Sequence, residues 1–195
     1  AYGLDGETIF FADTEIYARN LQSETISPPM TSNLGFGPDN SFHLNPVDGT
    51  QLGYVRANSN STQQMLLGEL VVINVSQQNG LAQVVREFRA SIYDFQWSSD
   101  GERLVTSGAN NVILIDPVTL NSIDIASETI SRPDAIFSPD DSLIAYIDSN
   151  NELPLIPQII VANSDGNGER IQVTNHVDGN ISDLNWVASP IQDEQ

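Results

Sequence analysis

A chain of 195 residues has room for one folded domain, and its 39% hydrophobic and 17% charged residues place it in the globular class. Its 26 acidic residues stand against seven arginines and no lysine, a formal charge of −19 that repels nucleic acid and anionic lipid and attracts cations or basic partners. With no cysteine there is neither a disulfide framework nor a thiolate metal site, and no apolar run approaches the roughly 20 residues needed to span a bilayer.

In chain order, residues 5–7 read as a tight turn, 8–11 as a strand and 15–19 as the next strand, with no inner strand before them. A long connection, 27–41, contains Pro28, Pro29, Gly35, Gly37 and Pro38. A strand from Phe42 then leads through the turn at Asn45, Pro46, Val47, Asp48 and Gly49 into a strand at 52–55, an apolar strand at 70–75 and a more polar one at 82–85. The same order recurs twice. Strand 94–97, the turn Ser98-Ser99-Asp100-Gly101 and strands 104–106, 112–115 and 122–125 form one unit. Strand 134–137, the turn Ser138-Pro139-Asp140-Asp141 and strands 143–146, 159–162 and 170–174 form the other. The third strands are apolar on both sides of the pleat, as burial on both faces requires, and the polar fourth strands suit exposed edges. A last strand, 183–190, has no unit after it.

The repeat is anchored by an Asp three residues before a large aromatic: Asp94 and Trp97, Asp134 and Phe137, Asp183 and Trp186. The aspartates are 40 and 49 residues apart, a spacing typical of propeller blades. The motifs W-S-S-D-G at 97–101, F-S-P-D-D at 137–141 and I-I-V-A-N-S-D-G-N-G-E-R-I-Q-V-T at 159–174 resemble the TolB-like β-propeller repeat. That resemblance implies an all-β fold, a single propeller domain over 1–195 with four four-stranded blades. Blade 1 would join 183–190 to 5–27, so that the C-terminal strand completes it, and blades 2, 3 and 4 would cover 40–89, 93–130 and 133–176. Four blades is the lower limit for such a ring. The family serves binding, scaffolding and enzyme-associated roles, so the fold does not select a function.

Because neighbouring strands run antiparallel, the connections between second and third strands share one face with those between blades. The long ones are 27–41, 58–69, 150–157 and 175–182, and long loops on a rigid scaffold are the usual place for binding. Met65, Leu66, Leu153, Leu155 and Ile156 are the candidate binding or assembly residues there; tolerated insertions without function are the alternative. Asp94, Asp134 and Asp183 stand at the inner-strand entrances on that face. Their oxygens would suit Ca²⁺, and the competing use of each is to cap the backbone of an adjacent loop. The run Asp165-Gly166-Asn167-Gly168-Glu169 resembles the first half of a calcium loop, but His176 stands where a bidentate Glu is needed, so a hairpin turn is expected. His43 and His176, the sole histidines, are too few for a three-histidine metal site. No nucleophile elbow, phosphate loop or H-E-x-x-H occurs. Asn60, Asn74 and Asn180 begin glycosylation sequons, relevant in a eukaryotic secretory route.

These features favour a non-enzymatic binding or scaffold module that takes a protein or polysaccharide ligand and has no resident cofactor besides the calcium considered above. A self-assembling subunit of a surface layer or filament ranks second, and a polysaccharide lyase or peptidase-associated propeller third. A composition rich in Asn, Ser, Gln, Thr and Asp without lysine points to an extracellular or periplasmic protein, with neither nucleic-acid binding nor membrane insertion expected.

Overall fold

Segments rich in Val, Ile, Leu and aromatic residues, four to seven residues long and separated by Asn, Asp, Gly and Pro, can satisfy their backbone only by pairing with one another. The structure, a computed structural model, describes residues 1–13, 15–31, 41–57, 68–76, 82–88, 92–108, 110–127, 129, 134–149, 156–181 and 184–186. Among these every regular element is a strand. The first sheet pairs β1 (Thr8–Ala12) with β2 (Ile16–Asn20). The second contains β3 (Phe42–Leu44), β4 (Gln51–Ala57), β5 (Gly68–Asn74) and β6 (Gln83–Phe88) in sequence order. The third holds β7 (Ile92–Trp97), β8 (Leu104–Gly108), β9 (Asn111–Ile115) and β10 (Ser122–Ala126), and the fourth β11 (Ala135–Phe137), β12 (Leu143–Ser149), β13 (Pro157–Asn163) and β14 (Ile171–Gln172). All pairings are antiparallel.

The sheets stack face to face through three apolar clusters. Phe10 and Ile16 meet Leu52, Tyr54, Val71 and Ile73 between the first and second sheets. Val55, Leu70, Val72 and Phe88 meet Phe95, Trp97, Leu104 and Ile113 between the second and third. Val105, Val112, Leu114 and Ile125 meet Phe137, Ile144 and Tyr146 between the third and fourth. Strands β5, β8 and β9 are buried on both sides for this reason, which explains the apolar runs Leu70–Ile73 and Val112–Ile115, while Thr106 and Ser107 are buried polar residues of β8. Gly53 is required by the second interface. A β-carbon there would lie 2.6 Å from the Phe95 ring, so glycine lets that ring approach β4 closely.

The first sheet gains short backbone pairings on both edges. Residues 1–3 lie along the free edge of β1: the Phe10 N–H donates to Ala1 O at 2.8 Å, the Ala1 ammonium donates to Phe10 O at 3.0 Å, and the Gly3 N–H donates to Thr8 O at 2.8 Å. Tyr2 bridges Ile9 on that edge, and Ile26 bridges Arg19 on the far edge of β2. Residues 1–3 thus pair with the stretch Thr8–Phe10 of the β1 edge. Asp183 and 187–190 lie outside the described residues, and 184–186 belong to no strand.

Turns on one face lock the sheets together. In the third sheet, Ser98 donates its hydroxyl to Asp100 at 2.5 Å, and in the fourth Ser138 does the same to Asp140 at 2.6 Å. Asn45 reaches from the second sheet and donates to Gly101 O at 2.8 Å. Gly101, at φ 73°, leaves the space that Asn45 fills; a β-carbon there would run into the Asn45 amide. At the matching position of the fourth sheet stands Asp141, also left-handed at φ 57°. Its carboxylate accepts from the Ser99 N–H at 2.8 Å, the Ser99 hydroxyl at 2.6 Å and the Asp100 N–H at 3.3 Å. Arg103 adds a third tie, donating to Ser164 at 3.2 Å and to Asp141 O at 3.3 Å while lying over the Phe137 ring.

Candidate functional site

Strand order fixes which connections share a face. Short turns at 45–50, 98–103, 116–121, 138–142 and 164–170 close the locked face, whereas the strand ends at 57, 68, 126, 135, 149 and 157 lie at the opposite one. The inner strands β3, β7 and β11 start at that second face. Along β7 the side chains alternate, with Phe95 and Trp97 buried and Asp94 and Gln96 exposed. Gln96 is held by accepting from the Phe137 N–H of β11 at 2.8 Å, and Trp97 donates its indole N–H to His43 O of β3 at 3.1 Å. The three inner strands are thus fixed to each other by side chains rather than by a backbone ladder.

Asp94 and His43 form the one cross-sheet acid–imidazole contact among the described residues, with His43 Nε2 3.3 Å from Asp94 Oδ1. Both side chains are about half exposed, and the His43 ring stands edge-on to Phe95 with centroids 5.0 Å apart. Asp94 also accepts from its neighbour's backbone, the Phe95 N–H, at 2.8 Å. Burial pushes the Asp94 carboxyl up, but hydrogen bonds from His43, the Phe95 N–H and Ser41, with the charge of His43, outweigh it and hold the group below the usual carboxylate range. The pair presents an accessible carboxylate on β7, able to accept a hydrogen bond from a ligand.

The remaining expected positions separate. Asp134 immediately precedes β11 and its carbonyl accepts from the Ile147 N–H at 3.1 Å. Asp183 lies outside the described residues, as do Met65, Leu66, Leu153 and Leu155; Ile156 is described and is half-buried just before β13. Among the described residues no three His, Asp or Glu side chains converge as a metal site requires. Asp165 accepts from the Asn167 N–H at 2.8 Å and the Gly166 N–H donates to Asn163 O at 3.1 Å, the geometry of a hairpin turn. His176 donates its backbone N–H to Gln158 at 2.9 Å. Asn74 accepts from both the N–H and the hydroxyl of Ser76, at 2.9 and 2.6 Å. Sequence reasoning missed Asn45, Gln96, Arg103 and Asp141, whose roles are to join sheets. A signal existed only for Asp141, which replaces the glycine of the matching turn.

No family model matches the chain, and no curated protein matches it. Solved structures do. Putative TolB from Agrobacterium tumefaciens superposes with a TM-score of 0.62 at 16% identity over 90% of this chain and 60% of that one. The β-propeller domain of the trilobed protease from Pyrococcus furiosus, which has an open velcro topology, gives 0.56 at 13% identity over 87% of this chain and 53% of that one. The fold is that of a TolB-like β-propeller. Dipeptidyl peptidase 4 from Porphyromonas gingivalis gives 0.59 at 13% identity over 91% of this chain and 32% of that one. This propeller thus spans between about a third and three fifths of the chains it superposes on, and at such identities the likeness concerns the fold alone. Within it, β3, β7 and β11 are inner strands of successive blades, and the His43–Asp94 pair sits where two inner strands meet.

Proposed function

We propose that the protein is a non-enzymatic, extracytoplasmic binding or scaffold module that holds a protein or polysaccharide ligand on the face of its long connections. One observation carries the reading: the propeller's two faces are unlike. Turns on one face are tied to each other by Asn45, Arg103 and Asp141, while the opposite face offers the connections and the accessible Asp94–His43 pair. A formal charge of −19 favours a basic or hydroxyl-rich ligand over an acidic one. The lysine-free, Asn- and Ser-rich composition supports a place outside the cytoplasm.

The test is binding of a lysine-rich peptide and of neutral oligosaccharides to the immobilised protein, compared among wild type, His43→Ala, Asp94→Asn and the locked-face control Glu102→Gln. Loss with the first two variants and not with the control supports the reading. Equal loss with all three variants, or binding to none of the probes, counts against it.

A further inference from the structure

The hairpin between β13 and β14 turns through Asn163-Ser164-Asp165-Gly166-Asn167-Gly168 and holds two asparagines in different states. Asn163 is engaged. Its side-chain amide donates to Asn167 O at 2.8 Å, and the next nitrogen of the chain, the Ser164 N–H, donates to Ser142 O at 3.0 Å. Asn167 is exposed, and its own N–H is held by Asp165 Oδ1 at 2.8 Å. Among the described residues neither its side-chain amide nor the Gly168 N–H has a hydrogen-bond partner. Gly168 stands at φ 91°, and a β-carbon on it would lie 2.7 Å from the Asn163 amide nitrogen. The Asn163 amide therefore lies against the Asn167–Gly168 peptide unit, and glycine is what lets it come so close.

An asparagine followed by glycine carries an electrophile and a nucleophile side by side. Once the Gly168 nitrogen gives up its proton to solvent, it can attack Asn167 Cγ and close a succinimide ring. The N–Cγ bond forms, the Cγ–Nδ2 bond breaks, and Nδ2 leaves as ammonia with a proton taken from solvent. Water then opens the ring. Addition at Cγ leaves aspartate at 167, and addition at the backbone carbonyl carbon leaves isoaspartate, with the main chain rerouted through Cγ. The difficult species is the deprotonated peptide, whose negative charge resides on Asn167 O. That oxygen is the atom to which Asn163 donates, so the hydrogen bond strengthens as the charge develops. Two other asparagines that precede a small residue lack these conditions. Ser122, after Asn121, is held in β10 opposite Ile115, and Ser164, after Asn163, is buried with its N–H bonded.

We propose that Asn167 is a self-modifying site, converted by water to aspartate and isoaspartate with loss of ammonia, and that Asn163 promotes the reaction in the folded chain. The new carboxylate joins Asp165 and Glu169 in the same turn. Isoaspartate also lengthens the link between β13 and β14, whose ladder consists of the pairs Ile160–Gln172 and Val161–Ile171. Gly166 of this turn rests against Ile123 of β10, so the change reaches the boundary between the third and fourth sheets.

The test keeps the full chain in mildly alkaline buffer, folded or unfolded in guanidinium chloride, with digestion at intervals and mass-spectrometric mapping that separates asparagine, aspartate and isoaspartate at 167. The expected reaction is several-fold faster in the folded chain than in the unfolded one, the reverse of the protection that folding usually gives. Asn163→Asp replaces the donor by an acceptor of the same shape, and Asn163→Ala removes it without adding a charge. Each should slow the folded reaction about three- to tenfold, less than the loss of an enclosed oxyanion-hole donor because this turn is open to water, and leave the unfolded rate unchanged. A folded rate equal to or below the unfolded one overturns the proposal, and that comparison needs no variant to fold. Folded variants that react at the wild-type rate overturn the part assigned to Asn163.

Discussion

Replacing Asp141 by glycine, the residue that occupies the matching turn of the third sheet, sets two effects against each other. At φ 57° a side chain in the left-handed region costs about 1 kcal/mol that glycine does not, so the backbone alone favours the substitution. Against it stands the loss of a buried carboxylate that accepts from the Ser99 N–H, the Ser99 hydroxyl and the Asp100 N–H, at distances from 2.6 to 3.3 Å. Hydrogen bonds to a charged group contribute about 1.5–3 kcal/mol each, and Ser99 is exposed enough for water to replace part of what is lost. Two bonds at the low end of that range, reduced by the relaxed backbone, leave a net destabilisation of about 2 kcal/mol. For a chain of this size that corresponds to a drop of roughly 4–8 °C in melting temperature. Urea titration followed by tryptophan fluorescence measures it, with Asp141→Asn as the intermediate case that keeps left-handed tolerance and loses the charge. A neutral or stabilised Asp141→Gly variant would refute the idea that this carboxylate, rather than apolar packing alone, locks the third and fourth sheets.

Trp97→Ala should destabilise the fold by about 3–5 kcal/mol, because the indole is 5% exposed at the centre of the second interface and its N–H is bonded to His43 O; a silent variant in thermal melts would remove Trp97 from the core. Stability should decline in acid. The carboxyls of Asp48, Asp100 and Asp116 are lowered chiefly by hydroxyl donors at Thr50, Ser98 and Thr119, while Asp94 stays low although burial opposes it. Depressed groups stabilise the folded state fully above their ordinary value of 3.8, and that contribution is lost as pH falls through their folded values. A urea midpoint that keeps rising as the pH drops below that value would mean that relief of the −19 charge outweighs the caps. Adding millimolar calcium to chelator-treated protein should move the melting temperature by less than about 1 °C, since Asp94 already accepts from Phe95 and His43; a rise of several degrees would instead establish a calcium site at Asp94, Asp134 and Asp183.

The local elements were legible because strand chemistry is written in neighbouring residues. Val and Ile runs at 70–73 and 112–115 stand in β5 and β9, and the Ser-x-Asp turns at 98–100 and 138–140 close hairpins through their own side chains. The aromatic anchors Trp97 and Phe137 are buried as their recurrence implied. Asp94 accepts from the N–H of Phe95, the next residue of its own strand, and no nearby residue in the sequence announced its second partner, His43, 51 positions away. What joins one sheet to another was equally silent. Asn45 to Gly101, Gln96 to Phe137 and Ser99 to Asp141 link residues more than 40 positions apart, and nothing in a local pattern distinguishes a latch from an ordinary polar turn. The edge of β1 shows the limit most plainly. Pattern assigns that edge to residues 183–190, of which 183 and 187–190 lie outside the described residues, and nothing in it announces that residues 1–3 pair with Thr8 and Phe10 through backbone bonds that need no particular side chain. Periodicity and turn chemistry are local and so determined the strands; pairing partners and sheet-to-sheet latches depend on which segments meet in space, and only the tertiary structure decided them.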